Sequence, residues 1–383
     1  VDAAAMAADQ ARTGLEAFQS QVNAALAKKV DVATGRLRIS GLIQIWYGTA
    51  FGDTLGGNVP TNTSPVPHGR NYGGGVGDTF RLRRGQIILD GSFNPRLDYR
   101  VMFDLARMPN PLRDLVLGYQ FAPHWRIEVG QQKTGLSEEG TRSARDLKTI
   151  SRAVMNEDLP LNVGRVGAVR DTGIALRYGS APFRLLLGIW NDNGLTEDRV
   201  DIDRFKFFSY AAYLTLFRHL TLGVWGGTNV GTSSPRPIRD RFGVTFLWQS
   251  GPHFFESELA LSRDSVPPMP GFAERASTTE DAYFLYAYRF SRQWEFVIRY
   301  ENINPFENTR VENEGGLGFL PDGTVIRALD HKLKEYTLGF TYYLNGNNAK
   351  IQLNYVREDV EIYGPVFFGK PRNILLVNYQ AAF

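Results

Sequence analysis

From residue 36 onward the chain alternates. In YRVMFDLA, Tyr99, Val101, Phe103 and Leu105 fall on one side of an extended chain, with Arg100, Met102 and Asp104 on the other. HWRIEVGQ sets Trp125, Ile127 and Val129 against Arg126, Glu128 and Gly130. RFGVTFLW sets Phe242, Val244, Phe246 and Trp248 against Arg241, Gly243 and Thr245, and WEFVIRYE sets Trp294, Phe296, Ile298 and Tyr300 against Glu295, Arg299 and Glu301. YTLGFTYY and AKIQLNYV repeat the pattern. A period of two means strands with one apolar and one polar face. About sixteen such segments begin near residues 36, 79, 96, 112, 124, 171, 182, 205, 219, 238, 253, 279, 293, 332, 349 and 371. Each runs for about ten residues, the length of a tilted transmembrane strand.

The connections between them alternate as well. FNPR, APH, SAP, RH, SGP, SRQ and NGNN are tight polar turns. Between these lie longer segments, roughly 48–78, 134–170, 192–204, 264–278 and 303–331, with shorter members near 108–111, 231–237 and 360–370. Short turns at one end and long loops at the other are the mark of an outer-membrane barrel. The pattern predicts an all-β protein: a 16-stranded antiparallel transmembrane β-barrel over residues 36–383, in a bacterial outer membrane. Its outward face would meet membrane lipid and lipopolysaccharide, with Trp46, Tyr47, Trp125, Trp294 and Tyr379 forming aromatic girdles at the strand ends.

The last strand ends RNILLVNYQAAF, with Leu375, Val377, Tyr379, Ala381 and Phe383 on one face. Either this is an ordinary edge strand, or Tyr379 and Phe383 belong to the C-terminal signal read by the outer-membrane assembly machinery. The girdled barrel favours the second.

The first thirty residues break the pattern. They are rich in Ala and free of Pro, and Val1, Ala4, Ala8, Ala11, Leu15, Phe18, Val22 and Ala25 follow a three–four spacing. They are expected to form a short N-terminal periplasmic helix, either docked on the body or in a trimeric coiled coil. With Lys28 and Lys29 beside it, such a helix could tether the barrel to the cell wall. The chain starts at Val1, and an exported protein would already have lost its signal peptide.

Composition narrows the class. The 383 residues are 43% hydrophobic yet have a mean hydropathy of −0.26, and LLLGIW (185–190) is far shorter than the roughly 20 residues of a spanning helix. Cysteine is absent, which excludes disulfides and thiolate metal sites. A net charge of +3 gives no argument for nucleic acid, and no cofactor is expected. Enzymatic chemistry finds little support. Of the five histidines, His124, His219 and His253 sit at short turns, His68 in a loop and His331 at a strand start; neither GxSxG nor HExxH occurs. DRVDID (198–203) reads as a solvated loop before a calcium site, and NYGGGVGD (71–78) lacks the ending of a phosphate loop.

Sixteen strands enclose an aqueous channel, so function depends on what points inward. Arg100, Arg126, Arg177, Arg184, Arg239, Arg241 and Arg299 face the lumen by alternation, with acidic Asp98, Asp104, Glu128, Glu295 and Glu301 on the same face. In FRLRRGQ, Arg81, Arg83 and Arg84 are candidates too, but Leu82 and Ile87 share a face only if a bulge intervenes, so Arg83 and Arg84 remain alternatives. Arginine outnumbers lysine several-fold, and its guanidinium binds phosphate or carboxylate bidentately. Two readings stand: an anion-selective lumen, or a mixed, weakly selective pore whose arginines pair with Asp and Glu. The long segment 134–170 carries Arg142, Arg145, Lys148 and Arg152 at helical spacing. Folded inward it would constrict the pore with cations; folded outward it would be a lid.

RLRRGQIILDGSFNPRLDYRVMFDLA is similar to the second and third strands of the phosphate-selective porin O and P family, and VGQQKTGLSEEGTRSARDLKTISRA looks like that family's passage from strand five into its constricting loop. The resemblance implies a homotrimer of 16-stranded barrels that passes small inorganic anions, with Arg83, Arg84 and Lys133 at the positions of pore cations. The expectation is a porin for passive diffusion, selective for phosphate or similar anions. The alternative is a general, weakly selective porin that also tethers the outer membrane through residues 1–30.

Overall fold

The computed structural model describes residues 30–32, 35–51, 79–108, 110–156, 170–191, 205–231, 239–266, 275–306, 318–319, 325–326, 331–362 and 372–383. Sixteen strands form the body: β1 (Gly35–Phe51), β2 (Thr79–Ser92), β3 (Leu97–Asp104), β4 (Leu112–Ala122), β5 (Trp125–Lys133), β6 (Arg170–Ser180), β7 (Phe183–Trp190) and β8 (Lys206–Leu216), then β9 (Leu220–Val230), β10 (Arg239–Ser250), β11 (His253–Val266), β12 (Arg275–Tyr288), β13 (Trp294–Phe306), β14 (His331–Asn345), β15 (Ala349–Ile362) and β16 (Arg372–Ala382). Their starts lie within one residue of the alternation pattern, except β12, which begins at Arg275 rather than near 279.

Each strand pairs antiparallel with the next, and β16 pairs with β1 from Asn373↔Phe51 to Ala382↔Leu42, which closes the barrel. Gly41 and Phe383 extend that seam, N–H to C=O, at 2.9 and 3.2 Å. Closure is what lipid demands, because an open edge would leave backbone groups without partners in hydrocarbon. Short turns gather at one end; at 346–348 the left-handed φ of +51° falls on Gly346. Both the start of β1 and the end of β16 lie at this end.

The outward face is apolar: Ile43, Leu117, Ile174, Phe246, Leu338 and Leu353 are all exposed. Near the short turns, Trp125–Tyr178 (4.9 Å), Trp294–Tyr342 (4.8 Å), His253–Tyr288 (5.0 Å) and Phe93–Tyr99 (5.0 Å) pair as an aromatic belt. Tyr379 and Phe383 are exposed on the same side of β16 as expected. Trp46 corrects the expected girdle. Ile43 and Ile45 face outward on β1, so the pleat turns Leu42, Gln44 and Trp46 inward, and the indole is buried against Ile150, Val356, Ile374 and Leu376. Leu105 is also off its expected strand, since β3 ends at Asp104 and residues 105–107 form a 3-10 turn.

The expected helix over residues 1–30 lies outside the described residues except for Val30. That residue opens a short strand, Val30–Val32, which folds back on Gly35–Leu37 of β1.

Two bulges fall on the lumen side. Gln44 pairs with Arg84 and Ile45 with Leu82, which leaves Arg83 as an extra residue. Met102 pairs with Asp114 and Phe103 with Leu112, which leaves Arg113 extra. A bulge turns two consecutive residues to one face. Arg83 and Arg84 therefore both point inward, while Leu82 and Ile87 both face out.

Candidate functional site

The segment after β5 lies inside the barrel. Residues 134–156 form a four-residue helical turn, α1 (Glu138–Thr141), then 3-10 turns at Ala144–Asp146 and Val154–Asn156. They are not one continuous helix, so Arg142, Arg145, Lys148 and Arg152 do not form a single stripe. On one side Leu136, Ala153 and Met155 pack among Leu186, Trp190, Phe207, Tyr213 and Trp225 from the wall. Burial of this kind contributes roughly 25 cal/mol per Å² of apolar surface. Part of the lumen is thus dry.

Carboxylates of the far wall hold the loop. Glu258 on β11 accepts from Glu138 N (2.6 Å), Thr245 Oγ1 (2.7 Å), Ser137 Oγ (2.5 Å), Tyr283 Oη (3.1 Å) and Asn156 Nδ2 (3.2 Å). The Arg142 guanidinium grips Glu256 with two parallel bonds of 2.6 and 2.5 Å and lies over the Phe254 ring. Burial works against that arginine's charge, but the facing Glu256 overrides it and raises its pKa above the ordinary value. Lys148 pairs with Glu295 at 2.7 Å, and Glu301 accepts the amide of Val154. Arg299, almost fully buried, bonds Glu335 at 2.8 Å, Thr149 Oγ1 at 3.1 Å and the Ser151 carbonyl at 3.0 Å. From β15, Asn354 accepts the Ile150 amide (2.7 Å) and Lys350 donates to the Leu147 carbonyl (2.7 Å). Several of the loop's backbone polar groups are thus met by side chains of the wall.

Opposite this dry half, an open cavity of about 860 Å³ lies between β1–β6 and the loop. It reaches along β2 from Arg83 to Ser92, a span of about 30 Å at the rise of a strand. Twelve cationic side chains and five carboxylates line it. The carboxylates are shared. Asp90 meets Arg38 at 2.8 Å and Arg100 at 3.2 Å, Glu128 meets Arg126 at 2.8 Å and Arg177 at 2.5 Å, and Asp114 meets Arg170 at 2.7 Å. Cationic side chains thus outnumber carboxylates along this wall.

Of the residues expected at the site, Arg83, Arg84, Arg100, Arg126, Lys133 and Arg152 surround this cavity. Arg84 donates to Gln44 at 2.5 Å, and Arg152 to the carbonyls of Glu139 (3.2 Å) and Arg142 (2.5 Å). Lys133 donates to the carbonyls of Gly140, Thr141 and Arg142 at 2.8, 3.1 and 3.0 Å. An ammonium has three donors, so this lysine clamps the C-terminal end of α1. Arg81, Arg142, Arg145 and Arg241 are not in the cavity lining. Arg81 and Arg83 each sit 5.1 Å from the centre of the Trp46 ring. Arg145 pairs with Asp146 at 3.1 Å, and Arg241 is buried on β10, bonded to the Asp240 carbonyl at 2.8 Å. Arg184 reaches Glu138 at 3.2 Å. The cavity adds Arg36, Arg38, Arg107, Arg113 and Arg170, which the sequence reading did not single out. Alternation along β1 would have found Arg36 and Arg38, whereas Arg170, at the very start of β6, has the parity of the outward-facing Ile174 and could not be found that way.

Residues 68–258 match the family model of phosphate-selective porin O and P. No curated protein sequence matches the chain. Solved structures do match. The outer membrane channel DcaP of Acinetobacter baumannii aligns over 91% of this chain and 98% of its own, with a TM-score of 0.62 and 10% identity. An anion-selective porin from Comamonas acidovorans aligns over 91% and 100%, at 0.59 and 10%. The trimer form of the Vibrio cholerae outer membrane protein OmpT aligns over 91% and 100%, at 0.59 and 12%. At such identities the likeness is one of fold. Through residues 68–258 the chain belongs to the phosphate-selective porin O and P family, and it is a porin of the bacterial outer membrane, a channel for passive diffusion.

Proposed function

We propose that this porin is selective for small anions, phosphate or similar inorganic ions among them, and that it works as a homotrimer. One observation carries the reading: the lumen is divided by charge. Glu256, Glu258, Glu295, Glu301 and Glu335 of β11–β14 lie beneath the loop, committed to its amides and to Arg142, Lys148 and Arg299. The cavity along β1–β6 keeps a majority of cations. Low-dielectric walls focus the field of those charges and enrich anions. Segment 134–170 narrows the passage on this reading. Arg83, Arg84, Arg100 and Arg152 supply most of the field, Arg126 lines the passage held against Asp98 and Glu128, Lys133 holds the loop in place, and Arg81, Arg142, Arg145 and Arg241 act from outside the cavity lining.

Because its arginines share carboxylates instead of converging on one empty point, the channel sorts by field and releases ions readily, as conduction requires. The family and the anion-selective Comamonas porin support this selectivity, and the trimer form of the Vibrio protein supports the assembly. A mixed pore would need carboxylates facing water in proportion to arginines. Swelling of liposomes that contain the purified protein tests the proposal. Anionic solutes are expected to enter faster than neutral solutes of equal size, and cationic ones slower. Equal rates for all three would refute it.

A further inference from the structure

Near the short-turn end, three neighbouring strands place Asp98, Gly118 and Glu128 side by side: Asp98 pairs with Gly118, and Gly118 with Glu128. The row reads carboxylate, bare backbone, carboxylate. Arg126, two residues from Glu128, fills the gap. Its guanidinium makes two bonds to Asp98 and a third, of 2.8 Å, to Glu128. A Cβ built on Gly118 would lie 1.8 Å from Arg126 Nη2 and 2.3 Å from Cζ. No backbone atom is among the three nearest, so the clash falls wholly on the far end of a flexible side chain. Gly118 has no positive φ to explain a glycine here. What it provides is a slot across β4.

We infer that Gly118 is a positioning residue for channel selectivity: its missing side chain lets Arg126 lie flat on the wall between Asp98 and Glu128, where its charge is cancelled and the passage stays wide. Glu128 also accepts from Arg177 at 2.5 Å, so Asp98, Glu128, Arg126 and Arg177 form a charge-balanced set in the cavity lining. Filling the slot lifts the guanidinium off Asp98 and toward the water. Net charge does not change; its distance from the ion path does. The direction of the effect rests on the anion-selective reading above.

The test is single-channel recording of the purified full chain in planar bilayers across a KCl gradient, for the wild type, Gly118→Ala, Arg126→Gln and the double variant. Gly118→Ala is expected to lower conductance. It is also expected to raise the chloride-to-potassium permeability ratio by about twofold, the scale of one exposed ion-pair interaction. In the Arg126→Gln background the same substitution is expected to do nothing, because the side chain it displaces is gone. Gly118→Ser, with a hydroxyl suited to the lumen, is the second variant should the first fold poorly. An unchanged ratio in both Gly118 variants, or an equal shift with and without Arg126, overturns the inference. A wild type without anion preference would instead refute the proposed function.

Discussion

Replacing Glu258 by Gln should unlatch the loop. The carboxylate takes five donors, and Gln keeps the shape but turns one oxygen into an NH₂ group. If that group replaces Oε1, it confronts the Glu138 amide, 2.6 Å away. If it replaces Oε2, it confronts Asn156 Nδ2, 3.2 Å away. The hydroxyls of Ser137, Thr245 and Tyr283 can turn to accept, but the Glu138 backbone N–H cannot, and turning Asn156 to offer its Oδ1 takes its Nδ2 away from Glu139, so either orientation loses a buried hydrogen bond. That costs about 1–3 kcal/mol, with a further loss of about 1.5–3 kcal/mol from weakening a charge-assisted bond. A change of about 2.5–6 kcal/mol multiplies the unlatched population by roughly sixty- to twenty-thousandfold, at 1.4 kcal/mol per factor of ten. The assay is single-channel recording paired with limited trypsin digestion, since Arg142, Arg145, Lys148 and Arg152 are all trypsin sites in the loop. The expected result is flickering current and new cleavage within 134–156 from an otherwise intact barrel. A quiet channel and an uncut loop would show that Glu258 is not a latch.

Three further outcomes follow. Deleting Arg83 should leave a folded barrel, because Gln44↔Arg84 and Ile45↔Leu82 already abut across the bulge; circular dichroism and heat-dependent gel migration check the fold, and a lower chloride preference is expected. Arg142→Gln leaves Glu256 buried without its partner, a loss of about 3–5 kcal/mol, so loop cleavage should rise there but not in Arg145→Gln, whose side chain is exposed and pairs only with its neighbour Asp146 among the described residues. Phe383→Ala removes the ring that lies over Gly41 at the β16–β1 seam; the expected effect is a lower yield of folded barrel in outer-membrane fractions, with unchanged conductance for the molecules that do fold.

Much of the barrel was legible in the sequence because lipid and water impose a period of two on every strand. Where the period held, strand starts and faces followed, down to Tyr379 and Phe383 on the outer face of β16. The bulge in FRLRRGQ could be seen because Leu82 and Ile87 could not otherwise share a face. Trp46 was misplaced because residue type stood in for parity: an indole near a strand end reads as a girdle, but its neighbours Ile43 and Ile45 had already claimed the outside. The loop was harder. Its cations follow helical spacing, yet Glu256, Glu258, Glu295 and Glu301 each draw a different part of the segment to the wall, and such partners lie more than a hundred residues away in the chain. The role of Gly118 was invisible for a different reason: Arg126 lies on the very next strand, but nothing in LVLGYQ shows that its side chain crosses above the glycine.

The central claim is that dividing the lumen by charge makes the channel prefer anions. Reversal potential across a KCl gradient in a planar bilayer measures this directly, with phosphate then added to one side. The account predicts a potential displaced toward the chloride equilibrium, and passage of phosphate with at most shallow block. A potential at zero, or on the potassium side, would contradict it.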